Sequence, residues 1–293
     1  MSGSRPALAG RWRSFARDPF IATGGGVTLG LILMALLAPW LAPWEVDHVD
    51  VRRQLEGPSA NHWFGTDESG RDLLTLVLFG ARTALLVGTL SVLVSLTVGI
   101  AVGGLAGFRG GRVDELFMRL TDVVLAFPGI LLAILIIFVT QAPSLWSVVL
   151  ALSVTGWAGY ARILRAEVLA LRQREFVEAA FALGLPPGRI FAVHLLPNTF
   201  GPMMVQATFG VAGAILAEAS LSFLGLGPQD VPSWGALLDQ GATYFLLTPH
   251  LAIFPGIAIM VAVLGINLLG DGLRDALDPR LRHGTHSGRT KGS

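Results

Sequence analysis

The 293-residue chain is 53% hydrophobic and 14% charged, with a mean hydropathy of +0.64, more apolar than a water-exposed surface tolerates, so it reads as membrane-embedded. It has no cysteine, which excludes disulfides, thiolate metal sites and cysteine nucleophiles together. Its one lysine, Lys291, lies in the polar tail, so no GxxxxGK[ST] phosphate loop exists and any ATP used is hydrolysed by another chain. A net charge of +1 gives no reason to expect a nucleic-acid partner.

A helix needs about 20 apolar residues to cross a bilayer, and six stretches approach that: 21–42, 83–107, 123–141, 145–161, 203–227 and 249–270. The first follows Arg5, Arg11, Arg13 and Arg17 with no small-residue cleavage site behind it, the pattern of an uncleaved anchor. The fourth is short and holds Thr155, Gly156 and Gly159, which suits a helix packed among others. With the amino terminus inside, only Arg52, Arg53, Arg71 and Arg82 of the 21 Lys and Arg fall outside. That asymmetry places both termini in the cytoplasm. Two segments exceed the length of a turn, 43–82 outside and 162–202 inside, and function is expected there.

The outer segment carries His62-Trp63-Phe64-Gly65-Thr66-Asp67-Glu68-Ser69-Gly70-Arg71-Asp72. Its carboxylates suit a cation or a peptide amino group, but Arg71 between them favours local salt bridges and helix caps. Contact of Asp67, Arg71 and Asp72 with an external protein remains open. After the second span, Arg109 and Arg112 form a basic turn, and Asp114, Glu115, Arg119 and Asp122 follow at pairing distances along a helix.

In the inner segment, Phe176, Val177, Ala180, Phe181 and Leu183 have the spacing of an amphipathic helix that Gly184 ends and Pro186-Pro187 keep from continuing. A second short helix begins at Pro187 and runs through Ile190, Phe191, Val193 and Leu196 to Pro197-Asn198. Two short helices joined at a glycine turn would expose Phe181, Leu183 and Phe191 to water, so the pair is expected to dock a partner. The acidic Glu175 and Glu178 argue against a helix lying on the membrane surface, where Lys and Arg are expected. His194 is read as a structural residue rather than a pH sensor. Glu218 alone among ionisable residues lies well inside a predicted span. It is expected to line a pathway, to contact a partner chain, or to bond to the nearby loop.

Glu178-Ala179-Ala180, then Gly184, then Leu196-Pro197 resembles the EAA motif of permeases in binding-protein-dependent ABC importers, the MetI-like family. His194-Leu195-Leu196-Pro197-Asn198 is similar to the variant in the C-type permeases of the dipeptide, oligopeptide and nickel branch. Residues 62–88, 107–128, 218–235 and 267–282 extend the likeness to about 15–282, with Leu76 departing where an arginine is common. The resemblance implies that Glu178, Ala179, Ala180 and Gly184, in a motif that closes at Pro197, form a coupling element seated on the ATPase; Phe181 and Leu183 are expected as its apolar anchors.

The expected architecture is all-α, a six-span type I importer permease. Residues 1–82 hold the amino terminus, first span and outer segment; 83–282 form a five-helix core with the loop at 162–202; 283–293 are a disordered tail. The resemblance implies a second homologous permease, two ATPase subunits and an external solute-binding protein as partners in an inner membrane, with surrounding lipid. ATP and Mg belong to the ATPases and no cofactor to this chain, which is expected to catalyse nothing. Di- or oligopeptides are the expected cargo, with nickel or glutathione as alternatives. A secondary transporter is the competing class, opposed by a single intramembrane carboxylate and no evident inverted repeat. A membrane hydrolase fails for want of HExxH, cysteine or a usable lysine.

Overall fold

The computed structural model describes residues 19–141 and 143–277. Arg5, Arg11, Arg13, Arg17, Asp278, Pro279, Arg280 and the tail around Lys291 lie outside the described residues. In chain order the helices are α1 (Pro19–Leu41), α2 (Leu73–Arg109), α3 (Gly111–Ala126), α4 (Gly129–Thr140), α5 (Leu145–Arg172) and α6 (Glu175–Ala182). They continue as α7 (Pro187–Ile190), α8 (Leu196–Phe223), α9 (Trp234–Thr243) and α10 (His250–Leu277). A 3₁₀ turn spans Val51–Arg53, and an i→i+5 π turn at Phe191–Leu195 joins α7 to α8.

Five of the six expected spans are continuous helices, and the third is broken. There, α3 and α4 meet at 88°. Pro128 is the cause: the residue before it, Phe127, is forced into an extended conformation (φ −89°, ψ 139°) that no α-helix contains. The 12 residues of α4 reach only about 18 Å, short of the ~30 Å hydrocarbon core, so the expected span at 123–141 is corrected to a bent pair. α3 is amphipathic, and its polar face is fastened to α5 by Arg165–Asp114 (Nη2–Oδ2 2.6 Å) and Arg162–Asp122 (2.7 Å). Of the pairs expected within α3, Glu115–Arg119 forms, at 2.9 Å.

Helix α2 also begins earlier than hydropathy suggests. Asp72 caps it, its Oδ2 accepting from the Thr75 amide at 2.8 Å. Residues 73–82 are therefore helical, and a division between 82 and 83 falls inside α2.

α2 and α5 meet along Ser91, Ser95, Gly99, Gly103 and Gly107, one residue per helical turn. The Ser95 hydroxyl donates to the Ser153 carbonyl at 3.3 Å, and the Ser153 hydroxyl returns a bond to the Ser91 carbonyl at 3.4 Å. Below them the backbones touch. A Cβ on Gly103 would lie 2.9 Å from the Cα of Ala161, and one on Gly107 3.0 Å from the Arg165 carbonyl oxygen. Glycine costs about 1 kcal/mol per position in a helix against alanine. With no hydrophobic effect between helices in lipid, this close van der Waals contact offsets that cost. α1 lies on α10 the same way, with Gly24 against the Leu268–Leu269 backbone.

The two ends of this bundle differ. At one, here the loop end, α6 and α7 pack beside Phe108. At the far end, residues 42–72 fold over the starts of α2 and α10, with Phe64 stacked on Phe254 (centroids 3.9 Å, planes 4° apart). Among the described residues there is no β-strand, only a Thr66–Asp72 bridge in this segment.

Candidate functional site

Two acidic residues in its first turn, Glu175 and Glu178, suit the positive end of helix α6. The helix closes with a paired hydrogen-bond cap: the Gly184 amide donates to the Phe181 carbonyl (2.9 Å) and the Leu185 amide to that of Ala180 (3.2 Å). This closure needs a left-handed residue, which Gly184 supplies at φ +75°. Pro186 then runs extended and Pro187 starts α7, its missing N–H costing nothing at a first helical position.

Here the sequence expectation is corrected at Pro197. It does not stop the second helix but sits in the first turn of α8, and the chain stays helical from Pro187 to Phe223. The π turn at Phe191–Leu195 leads into the proline, and the Asn198 side-chain amide donates to the His194 carbonyl at 2.6 Å. That extra donor helps satisfy a carbonyl in a turn where the proline supplies none.

The helix pair is two-sided. Val177, Ala180, Ile190 and Leu195 are buried with Leu164 and Val168 of α5 and Met203 of α8. Phe191, expected to be exposed, is half-buried: it meets Phe108 edge-on at 5.8 Å and lies against Gly104. Arg172 holds the same corner, donating to the Gly107 carbonyl at 3.1 Å with its guanidinium over Phe108. The other side is bare. Leu183 is 79% exposed, Phe176 and Phe181 are 44% and 42%, and Glu178, Ala179, Ala182 and Gly184 lie beside them. Ala180 thus belongs to the chain's own core and leaves the set of outward contacts. His194 is half-buried beside Phe176, ring centroids 6.4 Å apart, as befits a structural residue.

The far-end candidates resolve into internal bonds. Asp67 is fully buried, its Oδ1 accepting from the Ser69 and Arg71 amides (2.9 and 2.8 Å) while Oδ2 pairs with the Arg71 guanidinium (2.7 Å). Asp72, also buried, accepts from the Thr75 amide and hydroxyl and meets His62 Nδ1 at 3.0 Å. Neither carboxylate is free for an external protein, and of the three only Arg71 keeps part of its side chain exposed. Glu218 is likewise bonded within the chain. It is 1% exposed, and its Oε1 accepts from the Ser222 and Ser233 hydroxyls at 2.7 and 2.8 Å. It therefore ties α8 to the cap of α9, since Ser233 also accepts from the Gly235 amide. The expected bond to the loop is present, made through side chains.

These features position one outward surface, the tip of α6. Residues 99–283 match the family described as the binding-protein-dependent transport system inner membrane component, and residues 8–58 match the N-terminal transmembrane domain of oligopeptide transport permease C. The chain belongs to this permease family.

Among relatives, the permease is 43% identical to the dipeptide transport system permease protein DppC of Alkalihalophilus pseudofirmus, over 92% of this chain and 89% of that one. It is 41% identical to the glutathione transport system permease protein GsiD of Pectobacterium atrosepticum, over 92% and 90%. Its fold matches a chain of the inward-facing MetNI methionine ABC transporter with a TM-score of 0.56 at 18% identity, covering 69% of this chain and 97% of the other. The permease is thus a multi-pass inner-membrane component of an ABC importer, from a family that works with ATPase and further permease subunits. The likeness drawn from Glu178 to Asn198 is confirmed at the level of family.

Sequence reasoning missed the α2–α5 seam, although its signal was present as small residues spaced by four. It also missed the Asp114–Arg165 and Asp122–Arg162 pairs, for which α3 and α5 offer no local cue.

Proposed function

We propose that this chain carries di- or oligopeptides across the inner membrane with a second homologous permease, driven by two separate ATPase subunits that seat the α6 tip. The carrying observation is the two-sidedness of that tip. Val177, Ala180 and Ile190 lock it to the α2–α5 pair, while Leu183, Phe181 and Ala179 face outward around a glycine turn. An apolar patch held on a rigid mount is what a mechanical contact requires, since it delivers displacement instead of absorbing it.

In this reading the loop end is cytoplasmic, as the basic bias requires, and the far end receives cargo from an extracytoplasmic solute-binding protein. ATP and Mg are bound by the ATPases, this chain having no phosphate loop. ATP binding shifts the assembly toward its outward-open state and hydrolysis resets it. The chain itself performs no chemistry.

The decisive experiment reconstitutes both permeases, the ATPases and the binding protein in vesicles and measures ATP-driven uptake. Gly184→Trp, placed at φ +75°, is expected to abolish uptake and uncouple ATP hydrolysis while the assembly still purifies. A left-handed non-glycine residue costs about 1–2 kcal/mol, too little to unfold the chain but enough to misplace the tip. Uptake unchanged by this substitution overturns the coupling role. Because a glutathione permease is nearly as similar as a dipeptide permease, uptake is scored with dipeptides, longer peptides, glutathione and nickel. The preferred substrate decides the cargo.

A further inference from the structure

A groove of about 590 Å³ runs between α1, α2, α8 and α10, lined by Ile32, Leu86, Leu93, Met204, Val211 and Leu269 among other mainly apolar side chains. At its far-end mouth stands Arg82. That arginine is exposed, its guanidinium lies 5.7 Å from the Phe79 ring, and no salt bridge reaches it among the described residues. It is the single charged residue of α2 before Arg109.

Along α2 the groove extends from Arg82 to Leu96, about 21 Å at the ~1.5 Å helical rise. The stretch from Thr89 to Leu96 is about 10 Å, room for the headgroup-proximal part of an acyl chain in a leaflet about 15 Å deep. At about 590 Å³ the groove has room for a hydrocarbon chain.

Counting about 20 residues back along α2 from the charged Arg109 puts the far edge of the hydrocarbon core near Thr89. Arg82 then stands about 10 Å beyond that edge, at headgroup depth. We infer that this groove is a lipid site, holding one acyl chain of an anionic phospholipid whose phosphate pairs with Arg82. An unpaired guanidinium at the mouth of an apolar slot has the complementary charge pattern for such a lipid, and a planar fork suits a phosphate. The site is independent of which face of the membrane is cytoplasmic and of the cargo.

The test uses the assembled transporter in nanodiscs containing phosphatidylglycerol that bears a photoreactive acyl chain, with labelled residues mapped by mass spectrometry. Labelling is expected on α1 and α2 at Ile32, Leu86 or Leu93. Arg82→Gln should lower it about fivefold, the worth of roughly 1 kcal/mol for one basic side chain near an anionic headgroup. Leu86→Trp, which obstructs the slot and keeps the charge, should lower it as well. A phosphatidylcholine probe of the same chain should label about fivefold less than phosphatidylglycerol. Equal labelling by the two lipids with no effect of Arg82→Gln overturns the proposal. So does a photo-crosslinker at position 86 that yields adducts only to the second permease.

Discussion

The indole Nε1–H of Trp234 donates to the backbone carbonyl of Val77 at 2.9 Å, joining positions 157 residues apart. Trp234 is 1% exposed and its ring fills the space left by Gly80, so it helps pin α9 to the start of α2, beside Leu237 in the cluster of Leu73, Leu76 and Val77. Trp234→Phe should keep most of the packing and lose the hydrogen bond, about 1 kcal/mol. Trp234→Ala should cost roughly 3–5 kcal/mol through the cavity it leaves. Thermal unfolding of the detergent-purified assembly followed by size-exclusion fluorescence separates the two, and equal losses would contradict this assignment.

Gly103→Leu brings a side chain into the backbone of α5, where even a Cβ would lie 2.9 Å from the Cα of Ala161 and closer still to its carbonyl oxygen. We expect no folded protein in the membrane fraction. Gly26→Ala on α1 meets nothing within 4 Å and should be neutral or slightly stabilising, in line with the helix propensity of alanine. Expression and monodispersity of the two variants, measured side by side, check the prediction.

Glu218→Gln retains an oxygen acceptor for Ser222 and Ser233, so uptake should remain near wild type. Glu218→Leu strands those buried hydroxyls and should destabilise by about 1–3 kcal/mol for each left unpaired. A large loss of uptake in the glutamine variant with unchanged stability would instead give the carboxylate a transport role.

Asp72→Ala removes the cap of α2 together with the partner of His62. Loss of the cap alone costs about 1 kcal/mol, whereas Asp72→Asn keeps a good capping residue. Limited proteolysis should therefore cut residues 42–72 faster in the alanine variant than in the asparagine one.

Where the sequence spoke through dense composition it was readable. Five spans are continuous helices because each long apolar run has one way to satisfy its backbone in lipid. The α6 turn was equally plain, since Gly184 followed by Pro186-Pro187 permits few other paths. Two local signals were present but underweighted. Asp72 with Thr75 three residues on marks a helix start, yet Arg82 interrupts the hydropathy there, and Pro128 marks the break in the third span. The orientation of small helices was legible only in part: the periodicity of α6 put Ala180 on its apolar face without telling whether that face met the chain's own core or a partner. Burial of Asp67, Asp72 and Glu218 was not legible, because each depends on hydroxyls, amides or rings brought in by folding.

The α2–α5 seam also sets how force moves through the molecule. At Gly103 there is no side-chain layer between the two backbones, and hence nothing compressible and no rotamer to give way. The loop tip is mounted at one end of this pair, while α2 alone is about 55 Å long and reaches Asp72 at the other. On the proposed coupling role, a push at Leu183 would arrive at the far end as travel, not as stored strain, with the stiffness of this helix pair set by its glycines.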